Sequence, residues 1–222
     1  MNRSLANRSM NRSISQSQQV KPITLQGSAQ MVVEFFKYAV NSILYQRGVY
    51  APETFERTQQ YGITLFVTKD KEILQYFDNI LPHLEGWLSK GELKGVSLVI
   101  TSAISGENLE KWDFDIQTVN PTDGDTTITG RQREYGKKEL SEIQKGIRNV
   151  MRQVTATVTF LPLLDARCAF DLQIYVPKKA DVATGWVERT DSSIENPEKV
   201  QLRSFSTSIH RVNATVTYKA ET

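Results

Sequence analysis

Residues 152–176, RQVTATVTFLPLLDARCAFDLQIYV, change their hydrophobic period partway, and that change decides the fold class. Upstream, Leu140, Ile143, Ile147, Met151, Val154 and Val158 recur every three or four positions, as on one face of a helix. Pro162 closes that pattern, since proline breaks the backbone ladder of a continuing helix. From Cys168 the period becomes two: Cys168, Phe170, Leu172 and Ile174 alternate with Ala169, Asp171, Gln173 and Tyr175. A strand with one dry face follows from this alternation. A helix of roughly 138–159 and a strand near 166–176 are therefore expected side by side in the chain.

Working outward, the same two periods organise the rest. Val32, Phe35, Phe36, Ala39, Val40, Ile43 and Leu44 line one face of a helix over about 28–47, with Ser28 as the expected N-cap. A hairpin is expected over 55–59 and 63–67 around Tyr61-Gly62. A second helix opens near Asp70 and carries Ile73, Phe77, Ile80, Leu84 and Trp87. Pro82 lies inside it and predicts a kink or a break. Val96–Thr101 and the alternation of Trp112, Phe114 and Ile116 give two strands, and residues 120–136 read as a mobile loop. Towards the C-terminus, a polar stretch with a lone Trp186 precedes a hairpin, with a bulge or turn expected near 210–213. The order of elements is helix, hairpin, helix, two strands, helix, strand and hairpin, an α+β content.

Composition bounds what this fold can do. The chain has 222 residues, 39% hydrophobic and 23% charged, which suits one globular domain with a sizeable core. Its apolar runs are too short to span a bilayer, so no membrane partner is expected. The formal net charge of +2 argues against a polyanion binder, and nucleic acid is not an expected partner. Residues 1–21 stand apart: Asn-Arg-Ser occurs three times, and no acidic residue precedes Glu34. This segment reads as a disordered basic tail, with 22–222 as the domain. Phosphorylation, mitochondrial targeting and weak nucleic-acid contact are its functional alternatives.

Catalytic chemistry finds no constellation. His83 and His210 are the histidines and Cys168 is the one cysteine, which excludes an intramolecular disulfide. A Cys168–His210 nucleophile pair is conceivable, but Cys168 shares the dry face of its strand, where a thiol is inert. No Gly-rich phosphate loop, HExxH or CxxC is present. No enzyme activity, metal or cofactor is expected.

Several stretches resemble the spindle-checkpoint branch of the HORMA family. Gly-Ser-Ala at 27–29, Glu34-Phe35-Phe36 and residues 41–50 (NSILYQRGVY) resemble its first helix, and residues 152–164 resemble the end of its third. Leu202-Arg-Ser-Phe205, Ile209-His210 and Tyr218-Lys219 resemble its C-terminal hairpin. The likeness runs from about Ile23 to Lys219. It implies an α+β HORMA fold, three helices packed on a mostly antiparallel sheet, whose mobile C-terminal safety belt, here 177–222, crosses one sheet edge in an open state. In a closed state the belt moves to the opposite edge and traps a partner's extended peptide.

By matching position, the receiving strand would be 166–176, with Leu172, Tyr175 and Trp186 as peptide or belt contacts. Ordinary core packing is an equally good reading of Leu172. Arg152 and Gln153, with Phe160 beside them, would form the face on which an open copy docks on a closed one. Leu25 would bias the balance of states. The implied partners are the checkpoint scaffold mitotic arrest deficient one and the anaphase-promoting-complex activator of the cell-division-cycle type. A second copy of the chain, and a HORMA-remodelling AAA+ ATPase with its comet-type adaptor, complete the set. The implied role is delay of anaphase, in nucleus, kinetochore and cytoplasm. The rival within the family is a translesion-polymerase subunit or a meiotic axis component.

Overall fold

The computed structural model describes residues 23–119, 138–182, 185–189 and 192–220; the tail 1–21 and the loop 120–136 lie outside them. The chain opens with helix α1 (Leu25–Gln46), then hairpin β1 (Phe55–Gln60) and β2 (Ile63–Thr68), then α2 (Lys71–Ser89). Strands β3 (Gly95–Ser102) and β4 (Asn108–Thr118) precede α3 (Leu140–Thr157), and β5 (Cys168–Tyr175), β6 (Pro197–Ser206) and β7 (His210–Lys219) complete it. The main sheet has five strands in the order β5-β3-β4-β7-β6, every neighbour antiparallel. The expected three helices and largely antiparallel sheet are both present.

Pleating sorts each strand's residues between two faces. Leu98, Trp112, Leu172 and Val216 lie on one line across the sheet and face the helices, and all four are buried. The opposite face carries polar residues such as Ser97, Asp113 and Thr215. Phe35 and Phe36 of α1 meet Phe114 of β4 at 5.7 and 5.6 Å, which puts α1 at the centre of the core.

Three local expectations are corrected. The N-cap of α1 is Thr24, whose hydroxyl accepts from Gly27 N–H at 3.0 Å, while Ser28 is buried one turn inside the helix. Pro82 does not break α2, which runs on to Ser89. Asp70 caps its start through Glu72 and Ile73 N–H, and the buried face Ile73, Phe77, Ile80, Leu84 and Trp87 holds the helix across the missing bond. The irregularity in the C-terminal hairpin lies between Gln201 and Ser204, not at 210–213. That bulge shifts the phase by one residue, so Leu202 and Phe205 both point inward although three positions apart.

Candidate functional site: an open strand edge under a strap

β5 is an edge strand, and the C-terminal hairpin β6–β7 sits on the far side of the sheet, against β4. Ala103 N–H donates to Arg167 C=O at 2.8 Å, in register with the β3–β5 ladder. In an antiparallel pair such bonded positions alternate. Arg167, Ala169, Asp171 and Gln173 therefore bond inward to β3, and Cys168, Phe170, Leu172 and Ile174 turn their N–H and C=O groups to the open side. Among the described residues no main-chain bond joins residues 177–196 to this edge. The edge thus has acceptors and donors for one more strand.

The described residues 177–182, 185–189 and 192–196 pass over that edge as a strap, and its anchors can be followed in sequence. Ala180 N–H closes a turn onto Pro177 C=O. The Trp87 indole N–H on α2 donates to Asp181 C=O at 3.0 Å. Trp186 then packs edge-on to Trp87 at 5.4 Å and to His83 at 5.9 Å, on the helix side of the sheet. Arg189 reaches Asp171 at 3.5 Å, a residue on the other face of β5. Past it, the Asn108 side chain donates to Ser193 C=O, and Lys219 holds Glu195 at 3.1 Å. Between Trp186 and Arg189 the chain therefore crosses from one side of β5 to the other.

The far hairpin is fastened by buried contacts. Phe205 stacks edge-on to Phe35 at 4.8 Å. Ser28 Oγ lies 2.7 Å from His210 Nδ1 and 2.6 Å from Thr207 Oγ1, tying the β6–β7 turn to α1. Burial pushes the His210 pKa below the ordinary histidine value, against a smaller opposing pull from the Leu88 backbone. A base with a lowered pKa stays neutral when packed, whereas the same histidine in a released chain protonates near pH 6.5. Stability is then full above that value and is lost as pH falls below it towards the packed pKa. Urea unfolding at pH 7.5 and pH 5.5 should show a lower midpoint at pH 5.5, and His210→Gln should reduce that difference.

The structure brings together some of the expected residues. Leu172 is buried and supplies an outward amide; Trp186 anchors the strap. Tyr175 faces away from Leu172, with its oxygen 3.3 Å from Ser97 Oγ and Lys111 over its ring. Arg152 and Phe160 are exposed on and just after α3, the second at 54%. Gln153 has its amide oxygen engaged within the molecule, accepting from Arg203 N–H at 2.6 Å beside the β6 bulge. Leu25 is the first residue of α1, 44% exposed, over a shallow groove with Pro82 and Glu85. Cys168 and His210 are not a pair: the thiol bonds Ala166 C=O, its pKa raised by burial, and His210 meets Ser28.

Two features of the structure escaped sequence reasoning. Arg47 and Glu110 form an almost fully buried ion pair, with Trp112 N–H also donating to Glu110 and Arg47 reaching Pro162 C=O. Tyr76 of α2 places its hydroxyl on the open edge itself, 3.3 Å from Leu172 N–H. None of these three residues, Arg47, Glu110 and Tyr76, belongs to a periodic pattern that would have singled it out.

An edge strand beneath a strap, with the C-terminal hairpin on the opposite edge, is the architecture implied for peptide-clasping switch proteins, and the HORMA domain family model matches residues 28–210. The chain belongs to the HORMA family. Within it, the chain stands with the mitotic spindle assembly checkpoint proteins. It is 49% identical over 197 residues to human "Mitotic spindle assembly checkpoint protein MAD2A", covering 89% of this chain and 93% of that one. A chain in a crystal structure of the mitotic checkpoint complex superposes with a TM-score of 0.78 at 39% identity, covering 87% of this chain and 99% of that one. The nematode C. elegans protein HTP-2 bound to a HIM-3 closure motif has a TM-score of 0.72 at 13% identity, covering 90% and 93%, and shares the fold alone.

Proposed function

We propose that this spindle-checkpoint protein acts as a binding switch and that the arrangement described is its closed state. An extended closure-motif peptide adds as a strand to β5 and is held beneath the strap anchored at Asp181, Trp186 and Arg189. Main-chain bonds supply the affinity and side-chain pockets the selectivity. The observation that carries this reading is the row of outward main-chain groups on β5, of which the Leu172 N–H is the one bonded to a described residue, under a strap fastened on both sides of it.

The ligands are peptides of the checkpoint scaffold mitotic arrest deficient one and of the anaphase-promoting-complex activator. Their capture delays anaphase, in nucleus, kinetochore and cytoplasm, without a catalytic step. Bound closed copies recruit open ones through the α3 face that carries Arg152, Gln153 and Phe160. In the open state the hairpin leaves β4 and Leu25 gains packing. A remodelling AAA+ ATPase with its adaptor returns closed copies to open ones. A hundredfold shift between states requires only about 2.7 kcal/mol of differential binding, well within reach of a captured peptide.

Trp186→Ala tests the strap directly. A fluorescent scaffold peptide should co-elute with the wild type in size-exclusion chromatography and be released roughly thirtyfold faster from the variant, as for a buried aromatic anchor worth ~2 kcal/mol. A folded wild type that holds no such peptide would redirect attention to the repair or meiotic branches.

A further inference from the structure

The open edge of β5 is not wholly open. Of its outward groups, the Leu172 N–H is the one that carries a hydrogen bond to a described residue, and the acceptor is the Tyr76 hydroxyl at 3.3 Å. Tyr76 does not come from the strap or from a neighbouring strand. It projects from the first half of α2, and its ring stands edge-on to Phe170 of β5 at 5.6 Å and 89°. Burial and the nearby Asp171 push its pKa up to about 12, against the pull of the Leu172 amide, so the hydroxyl is neutral at any physiological pH.

The geometry sets one atom in the place of another. A strand added to β5 must offer a carbonyl to Leu172 N–H, because that amide lies midway along the edge and its neighbours Phe170 and Ile174 bracket it. The phenolic oxygen occupies that position now. At 3.3 Å it makes a long bond, and a strand carbonyl at the usual ~2.9 Å makes a better one. Satisfying the amide also keeps the empty edge from presenting an unbroken row of donors to other strands, a hazard of exposed edges.

We propose that Tyr76 is an internal stand-in for the ligand: its hydroxyl holds the Leu172 N–H until an extended peptide brings a carbonyl there, and its departure gates capture. This rests on the peptide-clasping reading above. The residue acts as a positioning and gating group: it marks which peptide carbonyl registers with Leu172, and it slows docking by the cost of breaking one bond.

Tyr76→Phe removes the oxygen and keeps the ring against Phe170. Stopped-flow binding of the scaffold peptide to full-length protein should show association about three- to tenfold faster, the span of one net hydrogen bond. Dissociation should be unchanged, because the hydroxyl has already left the edge in the complex. In the ligand-free protein, the Leu172 amide should exchange with deuterium faster in the variant, while Leu98 and Trp112 amides keep their rates. Unchanged association, or faster dissociation, would overturn the proposal, the second by making the hydroxyl a direct ligand contact. A wild type that captures no peptide would defeat the clasping reading itself. A wild type that captures it with kinetics indifferent to Tyr76→Phe would defeat only the gate.

Discussion

Replacing Glu110 with alanine should cost about 3–5 kcal/mol of stability, because it strands a buried guanidinium. Arg47 and Glu110 have side chains only 4% and 2% exposed, and the carboxylate also receives the Trp112 indole N–H. Arg47 lies just past the end of α1, and its second contact, the Pro162 carbonyl, belongs to the turn after α3. The pair therefore ties three elements of the domain that are far apart in sequence. Urea unfolding followed by circular dichroism would measure the loss. The double variant Arg47→Met with Glu110→Leu should recover most of it, since apolar residues of similar size remove both charges together. If the single variant lost under 1 kcal/mol, water would have to reach the pair, contrary to its burial.

The second large effect is expected at Phe205. Its ring is 4% exposed and packs on Phe35 of α1, so truncation to alanine should cost the closed arrangement about 3–5 kcal/mol. The cost falls on one part of the molecule. β6 and β7 contact the rest of the sheet through the single β4–β7 ladder, so the hairpin can open while β3, β4 and β5 stay paired. Native-state hydrogen exchange should show amides of β7 in Phe205→Ala exchanging at least about a hundredfold faster, with β3 amides little changed. Equal acceleration in β3 and β7 would mean that the hairpin is not a separately releasable unit.

Much of this was legible in the sequence because period alone tells which face of an element is dry. The face of α1 and the alternations of β4 and β5 are where the spacing placed them. Period says nothing about which strands are neighbours, so the order β5-β3-β4-β7-β6 could not be read locally. Thr24 and Ser28 are both competent caps four residues apart, and only the packing of Ser28 against His210 tells them apart. Pro82 breaks an isolated helix, yet a buried apolar face outweighed the one lost bond. At the site, it was family likeness and not period that singled out Trp186 and β5. Arg47–Glu110, separated by 63 positions, looked like two solvated charges, and Tyr76 like one more aromatic on a helix. Gln153 read as a docking residue, and its bond to Arg203 N–H depends on a bulge that no local pattern announces.

The crossing of the strap from Trp186 to Arg189 has a topological consequence. From Tyr175 the chain runs through the strap into the hairpin, and hydrogen bonds lead back through β7, β4 and β3 to β5. That path is a closed ring. A peptide lying on β5 would pass through it like a cord through a buckle, and if its flanks were bulky it could not slip out sideways. Its residence time would then be set by how often the ring opens at the β4–β7 seam, and its own contacts would govern only how well it sits while the ring is shut.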